Sequence, residues 1–173
     1  MCWMSESGKV MLPNSDWCFV CGEENEAGIQ TQFYIEEGKV KSRIAPQKQH
    51  CGYKGVLHGG IVASVLDECM GWAAAVAIER MCVTGELTIR YINKVPDDRD
   101  LICVTDVERA NKRLVLTVGE LVDDDGKKYA EANGKFMPLT DVQTLEVDDM
   151  LKYRDGDARI FDALRAKVEA AGE

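Results

Sequence analysis

A chain of 173 residues, 46% hydrophobic and 29% charged, is long enough for one substantial buried core and points to a single domain. A net charge of -9 works against broad contact with nucleic acid or an anionic membrane, so an anionic ligand would need a local basic patch. The opening MCWMSESGKVMLPNSDW has no apolar stretch behind a basic start, which gives no secretory signal and makes the cytoplasm the expected compartment.

In chain order, residues 1–16 are expected to be a tail. Seven cysteines, an odd number at irregular spacing, argue for reduced thiols and against a disulfide framework. Cys18-Phe19-Val20-Cys21 is the exception, since a C-x-x-C can be half of a zinc site or a redox pair. No second C-x-x-C or H-x-x-H follows it, and the two histidines, His50 and His58, lie well downstream, although Cys51 could add a ligand. The expectation is a structural turn with small buried thiols, with neither a metal site nor a cofactor.

Ile29, Thr31, Phe33 and Ile35 alternate, Glu37-Gly38 offers a turn, and Val40, Ser42 and Ile44 alternate again, which predicts a hairpin. Residues 46–57 carry Gly52 and Gly55 without periodicity and form an expected binding loop. From Gly59 to Arg80 the chain is Ala-rich and apolar on nearly every side, as in a long buried helix. A membrane span is its rival, but Asp67 and Glu68 near the middle make that expensive. Strand-like segments at 82–95, 101–109, 113–122 and 128–139 are joined by short turns and should pair antiparallel. The extension 140–173 is acidic, and Ile160, Phe161, Leu164 and Val168 predict an amphipathic helix over 158–170. The class is therefore α+β, an antiparallel sheet wrapped around a long central helix.

The first amides of a helix lack intrahelical partners and lie at the positive end of its dipole, so the start of the long helix can stabilise an oxyanion. Gly59 and Gly60 would let a carbonyl approach those amides, or would only allow tight packing. Asp67 and Glu68 point about 100° apart, so at most one shares the most buried face. Catalysis and a structural ion pair both account for them.

His58-Gly59-Gly60, with Asp67 nine residues after the histidine, resembles the hotdog-fold thioesterase superfamily, in particular its PaaI-like (4-hydroxybenzoyl-CoA thioesterase-like) branch. The resemblance covers residues 17–139, including the opening CFVCGEENEAGIQ. It implies that the Gly59 amide stabilises the oxyanion and that His58 orders the substrate carbonyl or its loop. By the same resemblance, Asp67 is the catalytic carboxylate, either general base or nucleophile, and Thr84 holds the attacking water. Gly60, His50 and Glu68 are candidate substrate contacts. Gly52 is a departure: some relatives carry Asn or Gln there, and His50 is the candidate to cover that role. Gly59 and Asp67 are separated by about 12 Å of helix, too far for both to touch one thioester carbon. Two helices antiparallel across a homodimer, alone or in a dimer of dimers, would join them.

The expected activity is hydrolysis of an acyl-CoA or other small thioester, with no metal or organic cofactor. The alternatives are a non-catalytic acyl-CoA-binding hotdog protein, a hydratase, and a thiol or zinc protein built on Cys18 and Cys21. No histidine follows Asp67 to complete a hydratase acid-base pair. Arg109, Lys112 and Arg113 form the most basic short cluster, but a solvated hairpin tip explains them equally well.

Overall fold

The computed structural model describes residues 8–171. The chain forms β1 (Val10–Met11), β2 (Phe33–Glu36), β3 (Lys39–Ile44), β4 (Cys51–Tyr53) and β5 (Val56–Leu57) before the long helix α1 (Gly59–Ile78). After it come β6 (Cys82–Tyr91), β7 (Leu101–Ala110), β8 (Val115–Val122), β9 (Lys128–Pro138), α2 (Asp141–Asp148) and α3 (Asp162–Ala171). Seven strands pair antiparallel in the order β1-β2-β3-β7-β8-β9-β6. The α+β class and the sheet around one long helix are as the sequence pattern required.

Alternation explains the packing. Val115, Thr117, Gly119 and Leu121 of β8 all point inward toward α1, while their neighbours are half-exposed. The approach is closest at Gly119, where a β-carbon would lie 2.9 Å from Met70 Sδ. On the helix, Val62, Val65, Leu66, Cys69 and Met70 are at most 1% exposed. By length and composition α1 could cross a bilayer, but these residues lie in the protein core.

The helix is not enclosed on every side, contrary to the expectation from its composition. Gly60 is exposed, and Ser64, Asp67 and Gly71, which follow along the same stripe, are half-exposed. The sheet is open beside it: β6, ten residues long, is an edge strand, with Val83 46% and Tyr91 49% exposed.

Elsewhere the boundaries differ from expectation for local reasons. Residues 1–7 of the expected tail, with Cys2, lie outside the described residues, and the rest of that segment contributes β1. Ile29 and Thr31 are buried as their alternation predicts, but their amides bond to Phe19 O and Val20 O, so β2 begins only at Phe33. The loop at 46–57 contains the β4–β5 hairpin, turned by Gly55 at φ 80°. The last helix starts at Asp162, not 158; the Ala158 amide before it bonds to Met11 O and ties the segment to β1. The preceding α2 was not anticipated; Thr140 and Gln143 close its N-terminus as a reciprocal capping box.

Candidate active site

The start of α1 is built around His58. Its backbone is extended, and its Nδ1 accepts from the Gly60 amide at 2.9 Å. An accepting Nδ1 places the proton of the neutral ring on Nε2. The bond also explains Gly60: a β-carbon there would lie 3.0 Å from Nδ1 and displace the imidazole. With the Gly60 amide taken by His58, the Gly59 amide remains the free donor of the first turn, with no acceptor among the described residues. Tyr91, which no local sequence pattern singles out, donates its hydroxyl to Gly59 O at 2.6 Å and lays its ring beside the glycine.

His50 occupies a different place from the substrate contact expected of it. Its side chain is 2% exposed and bonds through Nε2 to Gly28 O at 3.2 Å, while its carbonyl accepts from the His58 amide at 2.8 Å. It supports the His58 loop from behind. Gly52 backs directly on His58: a β-carbon at position 52 would lie 3.3 Å from the His58 ring, so a longer side chain would run along the imidazole. Gly52 and His58 border an open cleft of about 480 Å³ also lined by Tyr53, Gly59, Tyr91 and Asn93.

Asp67 lies two turns further along α1, in a second cleft of about 250 Å³. Thr84 Oγ1 donates to Asp67 Oδ1 at 2.7 Å, which brings together two residues that the family resemblance implied for the site. A bulge in the β6–β9 ladder between Thr84 and Glu86 lets the edge strand present that hydroxyl to the helix. Ser15, Trp72, Phe136, Val147 and Leu151 complete much of this cleft's wall. The two clefts have no residue in common.

Glu68 lines the same cleft as Asp67, but its carboxyl is committed to the C-x-x-C turn: Cys18 Sγ lies 2.9 Å from Glu68 Oε2. Burial, reinforced by negative charge on Cys18, pushes the Glu68 carboxyl up to about 8. A hydrogen bond from the Cys21 thiol, the main cause, and others from Glu68 and nearby backbone hold the Cys18 thiol down to about 5. This convergence was invisible in sequence because 50 residues separate the two. Arg109, Lys112 and Arg113 surround the β7–β8 hairpin tip, where Asn111 Oδ1 accepts from the Arg113 and Leu114 amides.

A family model described as "Thioesterase superfamily" matches residues 54–130, a span that includes His58, Gly59, Asp67 and Thr84. The "Putative esterase SSO2140" of Saccharolobus solfataricus is 30% identical over 106 residues, covering 61% of this chain and 75% of that protein. An uncharacterized protein of Schizosaccharomyces pombe is 27% identical over 113 residues, and the match spans 61% of this chain but only 65% of that protein. Among solved structures, the thioesterase superfamily protein RHA08564 superposes with a TM-score of 0.64 at 25% identity, covering 69% of this chain and 62% of that one. The BH2602 protein of Bacillus halodurans, solved with CoA, gives 0.54 at 26% identity, covering 57% and 66%. Together with the seven-stranded antiparallel sheet around one helix, these matches make the chain a hotdog-fold member of the thioesterase superfamily.

Proposed function

We propose that the protein is an acyl-CoA thioester hydrolase of the PaaI-like branch, active as a homodimer with each site shared between two subunits. The observation that carries this reading is the separation of the two clefts: one chain holds the amide donor in one and the carboxylate in the other. Rotation about a two-fold axis would bring Gly59 of each subunit to Asp67 of its partner. The unpaired ten-residue edge of β6 and the half-exposed stripe on α1 supply contiguous surfaces for that contact.

The chemistry then needs no further group. The Gly59 amide, assisted by His58 Nε2–H, donates to the thioester oxygen as negative charge develops on it. Asp67, oriented by Thr84, takes a proton from water as the water oxygen attacks the carbonyl carbon. Collapse of the tetrahedral intermediate breaks the C–S bond; the thiol leaves with a proton and the acid is released. The same carboxylate could attack the carbonyl carbon directly, breaking the C–S bond and expelling the thiolate to give an anhydride that water hydrolyses. Tyr91 fixes the helix start against recoil. CoA in the Bacillus halodurans relative supports CoA as the carrier.

A panel of short-chain, long-chain and aromatic acyl-CoAs, assayed by release of free thiol, tests the proposal. Hydrolysis that depends on Asp67 is the expected result. Binding of the panel without turnover would favour a ligand-binding protein instead, the outcome to which the missing side chain at Gly52 would contribute.

A further inference from the structure

The C-x-x-C turn has more than thiol packing built into it. Cys18 Sγ, Cys21 Sγ and a Glu68 carboxylate oxygen lie within 4.8 Å of one another, two ligands from the N-terminal turn and one from α1. The turn is closed by a bond from the Gly22 amide to Cys18 O at 2.9 Å, and the Val20 amide donates to Cys18 Sγ at 3.2 Å. An amide aimed at sulfur favours the thiolate, the form that binds metal. Gly22 makes this closure possible: a β-carbon there would lie 2.4 Å from Asp16 O and 2.5 Å from Cys18 O, both backbone atoms.

Glu68, only partly exposed and within reach of two thiols, has no cationic partner among the described residues. A buried cluster of two thiols and a carboxyl with no countercharge is costly once any of its groups ionises. A packing role for the thiols explains neither the carboxylate nor the amide directed at Cys18. A divalent cation accounts for all three side chains, since two thiolates and a carboxylate form a donor set suited to zinc.

We propose that Cys18, Cys21 and Glu68 bind a zinc-class divalent cation that clips the N-terminal turn to α1 beside Asp67. Tetrahedral bonds of about 2.3 Å to sulfur require the two sulfurs about 3.8 Å apart, so side-chain adjustments of about 1 Å or less complete the geometry. The thiols and the Glu68 carboxyl release their protons to solvent on binding, so the sulfurs bind as thiolates and Glu68 as the carboxylate. Among the described residues no fourth Cys, His, Asp or Glu joins the group, which leaves the fourth position to water. All three ligands line the Asp67 cleft, so the clip would fix one wall of it. The inference does not depend on thioester hydrolysis.

The test uses the full chain, purified under reducing conditions without chelator, with zinc measured by elemental analysis and Co²⁺ titrated into the metal-stripped protein. The expected result is one zinc per chain, and a cobalt form with a thiolate-to-cobalt charge-transfer band and the visible spectrum of a tetrahedral site. Cys18→Ser and Cys21→Ser should each weaken cobalt binding by about a hundredfold or more, and Glu68→Gln by about tenfold or more. Cys51→Ser, outside the group, should bind as wild type. A wild-type cobalt form without the charge-transfer band overturns the proposal, as does wild-type affinity in Glu68→Gln. If the serine variants fail to fold, the wild-type spectrum and the Glu68→Gln affinity still decide.

Discussion

Two substitutions, each disabling one half-site, make the division of labour between subunits measurable. Asp67→Asn keeps the side-chain shape but removes the negative charge. Gly59→Pro deletes the proposed oxyanion amide, and the local structure tolerates it. Proline is favoured at the first helical position, and His58 before it has φ -66° and ψ 136°, the extended region that a residue preceding proline prefers. A β-carbon at position 59 would meet the Tyr91 ring at 3.5 Å, an ordinary contact. Each homodimer should be inactive. After an equal mixture is unfolded and refolded, about half the dimers are mixed, and each mixed dimer holds one intact site and one doubly damaged site. Activity should recover to about a quarter of wild type, because half the dimers then carry half their sites. Thiol release from an acyl-CoA is the assay, with subunit exchange verified by differently tagged chains. An inactive mixture of folded, demonstrably exchanged subunits would refute the shared site, whatever the substrate.

Four single substitutions test the assignment and the packing. Asp67→Asn alone should lower kcat by about a hundredfold or more with little change in substrate binding, while Glu68→Gln should cost far less; the reverse order in steady-state kinetics would exchange the two carboxylates' roles. Thr84→Val removes the 2.7 Å hydrogen bond to Asp67 and should reduce kcat about tenfold or more, so an unchanged rate would remove Thr84 from the site. Gly119→Ala places a β-carbon 2.9 Å from Met70 Sδ and should destabilise the fold by about 1–3 kcal/mol in urea unfolding, whereas unchanged stability would mean that Met70 moves aside freely.

The long helix and the four strands after it were legible because their signals are local: an apolar run, period-two alternation and short polar turns. The spacing from His58 to Asp67 was legible for the same reason, since helix geometry converts residue number into distance. The short β4–β5 hairpin was missed because three-residue and two-residue strands have too few positions to show alternation. α2 was missed although its signal was present; Thr140 followed three residues later by Gln143 is a capping box, obscured by a weakly patterned helix of eight residues. The association of Cys18 with Glu68, the burial of His50 and the hold of Tyr91 on Gly59 all join distant segments, which no local pattern encodes. Composition misleads at one point: an apolar helix surface predicts full cover, yet α1 leaves a stripe only half-covered within one chain.

The Asp67 cleft takes its wall from four separated stretches: Ser15 and Cys18 near the N-terminus, Trp72 from the helix, Phe136 from the sheet, and Val147 and Leu151 beyond the sheet. The chemical centre and the shape of the space beside it are thus carried by segments with different freedom to change. Enlarging or shrinking the side chains at 147 and 151 would reset the depth of the cleft while leaving the Asp67–Thr84 pair and every strand register untouched. Residues 140–173 would thereby give the fold an adjustable gauge for ligand size, separable from the machinery that would act on the ligand.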